Sequence, residues 1–361
     1  MKKSIFLLGV AVAAMTSCSN DKLLDQAEPI QRAIGFDSFV NKGTKAVTET
    51  TDADLSKFYV FGYNPTETVF DNVLVTKSGT DAASGSTWSY AENFTKYWTK
   101  QNYSFAAYAD GNSGDAIATS GDAANVSFTE NKLTIANYVV DDNKDLVADI
   151  ETVDNSGLDN ETVNFDFKHL LSMIKFQIYN TSADYRMRIV SATVNSQTDS
   201  PGLNITGVIN KGTCILDEDD NVTWTPGNST RQGFVPFTCD DNASTTNSTN
   251  LFGKNSTTTE DTYEKSRTTE NYLVMPQNPA DVEFEIRAQF LDDNNNVVAE
   301  KVLTGNLKGK SNLTSWQAGY SYVYTIQLPT AANKIEFGVE SVPGFTPYGQ
   351  TIELNTTDNL N

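Results

Sequence analysis

The sequence is poor in the residues that most catalytic and metal chemistry requires. It has one histidine, His169, and three cysteines in 361 residues, so zinc sites built on several imidazoles and mechanisms built on a histidine pair are excluded. Basic residues are also scarce, 26 against 46 carboxylates, for a net charge of −20. A nucleic-acid partner needs a basic surface to neutralise phosphates, and none is expected here. Beyond the N-terminus no apolar run approaches the ~20 residues of a membrane-spanning helix. There is no G-x-S-x-G elbow, P-loop, dinucleotide fingerprint or C-x-x-C pair. His169 stands beside an apolar strand-like run, where a lone imidazole serves packing or hydrogen bonding, and Ser172 three residues on makes no triad without a base in reach. Carboxylate pairs and N-x-S/T matches arise freely in so acidic and so Asn- and Thr-rich a chain, and single out neither a glycosidase nor a glycan site. The sequence predicts no enzyme, no cofactor and no metal site.

What is present is enough to fold. Hydrophobic residues make up 39% and aromatics 11%, well away from the aromatic-poor composition of disordered chains, and the length suits two to three domains. At the N-terminus Lys2 and Lys3 precede an apolar stretch from Ile5 to Ala14, then Met15, Thr16, Ser17 and Cys18, the order of an export signal. Small residues before a cysteine resemble a bacterial lipobox, in which Cys18 is diacylated and becomes the mature N-terminus; the alternative is an ordinary signal peptide with an incidental cysteine. With Cys18 assigned to lipid, Cys214 and Cys239 remain, flanking two strand-like runs around the acidic turn Asp217 to Asn221. Both a disulfide and two buried thiols are compatible with an exported chain.

The periodicity is that of strands almost throughout. Phe58–Tyr63, Tyr103–Ala109, Ile174–Tyr179, Val282–Phe290 and Tyr320–Leu328 cluster or alternate Val, Ile, Phe and Tyr between Gly, Asn and Asp. Tyr320, Tyr322, Tyr324 and Ile326 fall on one face of the last run. Asp292 to Asn296 separate two runs and are read as a turn, since Asn and Asp tolerate left-handed backbone; no glutamate sits where a calcium loop would need one. Residues 109–125 and 240–262 are predicted loops, and turn residues at Asn155–Asn160 are taken as the boundary between two strand-rich halves. Short strands with frequent turns point to an all-β protein of β-sandwiches.

VNFDFKHLLSMIKFQI at 163–178, KDLVADI at 144–150, YLVMPQ at 272–277 and WQAGYSYVYTIQL at 316–328, with AIGFDSF at 33–39, LSKFYVFGY at 55–63 and YWTKQNYSFAAYA at 97–109, resemble the recurring blocks of the fimbrillin family, the lipoprotein precursors of type V pili in Bacteroidales. The resemblance implies two tandem transthyretin-like β-sandwich domains, at 46–158 and 159–330, behind a lipoprotein signal at 1–17 and a propeptide at 18–45 that holds an excisable first strand, with a C-terminal appendage at 331–361. It further implies an outer-membrane precursor anchored by lipid, a surface trypsin-like protease that removes the first strand, assembly with other copies or related subunits by strand exchange, and adhesion to a target the sequence does not name. Lys45 holds the place of the family's cleavage site, leaving Ala46 as the new N-terminus; the family commonly has Arg there. Arg32 is the runner-up, although a cut there leaves the first strand attached. In the tail Ile335, Phe337 and Val339 alternate with polar residues, and Ile352 and Leu354 repeat the pattern after Pro343, Gly344 and Pro347. These five are the expected donor-strand residues; the alternative is that they complete the second domain's own sheet. The other reading of the whole chain is a monomeric surface lipoprotein that binds glycan on Trp88, Trp98 or Trp224, although packing is the commoner role of such aromatics.

Overall fold

The structure, a computed structural model, describes residues 32–40, 55–78, 87–111, 125–141, 144–156, 162–190, 203–228, 234–237, 251–257, 263–308, 313–328, 346–347 and 357–358. These residues form strands, joined by turns and two single-turn 3₁₀ segments. Asp and Asn make the tight turns. Asp217 Oδ1 accepts the backbone N–H of Asp219 (3.1 Å) and Asn221 (2.9 Å) while Asp220 takes φ +65°. Asp292 Oδ1 does the same for Asn294 (2.9 Å) and Asn296 (2.8 Å), with Asn295 at φ +61°. Both expected turns are therefore hairpins whose first Asp folds the loop onto itself.

Seven strands form the first sheet, in the order β1 (Phe36–Val40), β9 (Val163–His169), β8 (Leu146–Asp154), β5 (Asn102–Asp110), β2 (Lys57–Tyr63), β3 (Thr68–Ser78) and β4 (Thr87–Tyr90). The expected boundary at 158/159 falls between β8 and β9, which pair antiparallel in this same sheet. The described chain runs on from β9 through Leu170 and Leu171 into a different sheet. The sheet curls until Tyr90 at one end reaches Ile34 beside the other, its hydroxyl donating to the Ile34 carbonyl at 2.7 Å. Its inner face encloses a core of Phe58, Val60, Phe70, Phe105, Phe165 and Phe167.

A four-stranded sheet covers the outer face, in the order β14 (Val222–Pro226), β13 (Lys211–Asp217), β7 (Lys132–Val139) and β6 (Asn125–Thr129). Each half of the chain supplies one hairpin, and β13 pairs with β7 across the join. The core beneath unites Tyr108, Leu133 and Ile135 from the first half with Met173, Leu216 and Val323 from the second.

The remaining strands make a second sandwich. One sheet runs β17 (Ser266–Thr268), β10 (Ser172–Asn180), β21 (Tyr320–Leu328) and β22 (Thr346–Pro347), with β18 (Tyr272–Val274) also paired to β10. The facing sheet centres on β19 (Glu283–Leu291), which pairs with β20 (Val297–Asn306) on one edge and with β11 (Arg186–Val190) and β12 (Leu203–Thr206) on the other. Outside these lie β15 (Phe234–Phe237), β16 (Leu251–Phe252) and β23 (Thr357–Asp358). β16 lies inside the predicted 240–262 loop. Two apolar residues in a run of Ser, Thr and Asn are too few to show a period, yet Phe252 is fully buried and pairs with Met187. Tyr322, Tyr324 and Ile326 point into this sandwich as their alternation predicts, while Val323 on the opposite face joins the core shared by the two halves.

Candidate functional site

The segment that stands out is the first strand and the slot it fills. Ile34 and Phe36 alternate with Gly35 and exposed Asp37, so a period of two turns both apolar side chains inward, to 1% and 5% exposure. On one side β1 runs parallel to β9, in the register Phe36 to Val163 through Val40 to Phe167. On the other, the Ile34 N–H donates to the Lys96 carbonyl (2.9 Å) and the Trp98 N–H to the Arg32 carbonyl (3.0 Å). The strand is thus the stave that closes the curled sheet. Phe36 is its wedge: its ring centre lies 5.2 Å from Phe70, 5.7 Å from Tyr90, 5.9 Å from Phe105 and 5.9 Å from Phe165. Burial pushes the Tyr90 phenol above its ordinary pKa, so it stays a donor to Ile34 at any physiological pH. Burying two such side chains contributes about 3–6 kcal/mol, and withdrawing the strand would bare an aromatic slot.

Arg32 is exposed at the entrance to this slot, two residues before Ile34. Cys18, Lys45, Ala46, Cys239, Ile335, Phe337, Val339, Ile352 and Leu354 lie outside the described residues. The described pieces of the tail rest on the second sandwich, where Thr346 and Pro347 pair with Tyr320 and Ser321, and Thr357 and Asp358 with Thr304 and Leu303. Cys214 is a free, buried thiol opposite Trp224 on β14, and burial pushes it well above the ordinary thiol range. Tyr90 and Lys96, which hold β1 from its second side, were not legible as site residues; only the aromatic density of 88–105 hinted at a packed slot.

His169 is buried, with Nδ1 2.7 Å from Asp145 Oδ2, while Ser172 Oγ donates to the Gln317 carbonyl at 2.8 Å. The two belong to separate polar contacts at the crossing between the halves. Among the described residues no group of three His, Cys, Asp or Glu is placed to hold a metal ion, and no helix is long and apolar enough to cross a membrane. Trp98 and Trp316 are core residues at 1% and 0% exposure. Trp88 is half-buried against Phe58, with centroids 4.7 Å apart. Trp224 is half-buried too, with its indole N–H held by the Leu170 carbonyl at 2.7 Å.

Curled and paired β-sheets around aromatic cores define a β-sandwich protein whose distinguishing feature is a wedge-like N-terminal strand. The fimbrillin-like family matches residues 44–341, and the chain belongs to that family. Solved structures similar to it include a candidate cell adhesion protein of Bacteroides uniformis (14% identity, 90% of this chain and 98% of that one, TM-score 0.44). Another is a candidate cell adhesion protein of Bacteroides ovatus (12% identity, 92% and 99%, TM-score 0.42). A candidate polysaccharide-binding protein of Bacteroides thetaiotaomicron is also similar (12% identity, 90% and 98%, TM-score 0.37). No curated protein matches the chain.

Proposed function

We propose that the protein is a structural subunit of a cell-surface fimbria, assembled by replacement of its first strand and serving adhesion. The precursor is anchored in the outer membrane through lipid on Cys18. A surface trypsin-like protease cuts after Lys45, β1 leaves its slot, and the tail of a neighbouring subunit enters. The carrying observation is the plug itself: Ile34 and Phe36, two residues apart, fill an aromatic slot from a strand held by a parallel ladder to β9 on one side and by two backbone bonds on the other. The tail repeats that spacing, with Ile335 and Phe337 set as Ile34 and Phe36 are. An Ile-x-Phe strand suits the vacated slot because alternate side chains of an added strand give specificity and its backbone gives affinity. Family membership supports this reading, and β1 precedes the matched residues, as a discarded strand would.

The test is a Phe337→Asp precursor expressed at the cell surface. It is expected to be exported and cut but to yield no SDS-resistant ladder on an unheated gel. Ladders equal to those of the parent protein would reject the donor assignment, and Cys18 as the sole N-terminus of assembled material would reject the cleavage.

A further inference from the structure

A groove of about 460 Å³ lies far along the chain from the β1 slot, between the β13–β14 turn and the loop that precedes β21. Its size is that of small-ligand sites, ~300–1,000 Å³. Trp224 and Tyr320, both half-buried, line it, and the fully buried Trp316 lies at its floor. Trp224 is set edge-on against Tyr138, ring centres 6.0 Å apart, and its N–H is tied to Leu170, so the indole is locked in place. Exposed Asn221, Thr223 and Gln317 provide amide and hydroxyl groups at the rim.

Both walls are built before any ligand arrives. The loop wall is pinned at four successive points, since the Trp316 N–H donates to Gln277, the Gln317 N–H to the Tyr322 hydroxyl, the Gln317 carbonyl accepts from Ser172, and the Gly319 N–H donates to Leu171, each at 2.8 Å. The opposite wall is the Asp217-capped hairpin turn. Rigid walls lower the ordering cost of binding.

We propose that this groove binds an uncharged, pyranose-containing glycan. An aromatic platform with a polar rim matches a sugar ring, whose C–H face is apolar and whose edge carries hydroxyls. Among the described residues no Lys or Arg lines the groove, and the one carboxylate there, on Asp220, is paired with Lys168. In a chain of net charge −20 that lining disfavours phosphate, sulfate and uronate groups and offers no free carboxylate to a cationic peptide. The site does not depend on strand exchange, and a precursor that never polymerises would still carry it.

Native gel electrophoresis of the soluble chain from residue 19, in gels cast with laminarin, xyloglucan, yeast mannan or glycogen, tests the site, with polygalacturonate as the anionic comparison. At least one neutral polysaccharide is expected to retard the protein, and both Trp224→Ala and Thr223→Arg to weaken that retardation at least tenfold. Thr223 is exposed, so its variant keeps the test valid if Trp224→Ala fails to fold; matching circular-dichroism melts verify the fold. Absence of retardation by every neutral polysaccharide, retardation by polygalacturonate alone, or unchanged retardation of folded Thr223→Arg would each overturn the proposal.

Discussion

Gly207 shows how a single position constrains the second sandwich. Its φ is +83°, in the left-handed region, and a Cβ there would lie 2.2 Å from the Asp281 carbonyl oxygen. Backbone, not a movable side chain, blocks the space. Gly207→Ala is therefore expected to cost about 2–3 kcal/mol, read as a lower urea midpoint at unchanged slope. Asp149 and Glu151 make the stability depend on pH. Burial raises Asp149 to about 6 and Glu151 to about 7, the charge of Asp149 adding to the shift on Glu151. A carboxyl whose pKa is raised by folding favours the folded state while protonated and loses that contribution as pH climbs through the folded value. Melting temperature should thus rise from pH 8 to pH 5.5, and Glu151→Gln should flatten the rise; an equal rise in that variant rejects the assignment. At Cys214 burial predicts slow reaction with a maleimide in the folded chain and rapid reaction after unfolding. Peptide mapping without reductant is the readout: labelled Cys214 is expected only after unfolding, and a peptide joining Cys214 to Cys239 would overturn this.

At the scale of elements, β1 is the informative case. Phe36→Ala removes a ring from four aromatic neighbours and is expected to cost the uncut precursor about 3–5 kcal/mol, while leaving the melting point of material already cut after Lys45 unchanged. An equal loss in both forms would show that the slot is not vacated. Lys45→Gln should retain β1 and abolish ladders, with the N-terminal sequence of surface protein as the readout. Elements with their own period were legible. β21 follows from Tyr320, Tyr322 and Tyr324, and the β19–β20 hairpin from Asp292 to Asn296, because alternation and turn chemistry are local. The parallel pairing of Phe36 with Val163 was not, since nothing within either run names so distant a partner. Of the plug, Ile34 and Phe36 could be read as apolar alternation, but Tyr90 and Lys96 could not be read as its second wall. Gln277, in the YLVMPQ block, is similar: its amide both accepts from the Ile209 N–H (2.8 Å) and donates to the Ile209 carbonyl (3.0 Å). That makes the block a latch between β18 and the approach to β13, a role visible only once the strands meet.

For the whole molecule, the proposed lipid attachment makes a direct prediction. Precursor extracted from membranes should exceed the sequence mass from Cys18 by acyl groups, since two or more chains anchor stably where one does not; a Cys18→Ser precursor that still incorporates palmitate would reject this. The shared four-stranded sheet has a different consequence, for the order in which the chain can fold. Whether it emerges from a ribosome or a translocation pore, β6 and β7 at 125–139 appear well before β13 and β14 at 211–226, so the outer face of the first sheet stays only half roofed in the interval. Contacts so distant in sequence form slowly, and the waiting surface includes Leu133, Ile135 and Tyr138. The first half expressed alone, with that surface uncovered, is therefore expected to self-associate, which size-exclusion chromatography of residues 19–158 against the longer chain would show.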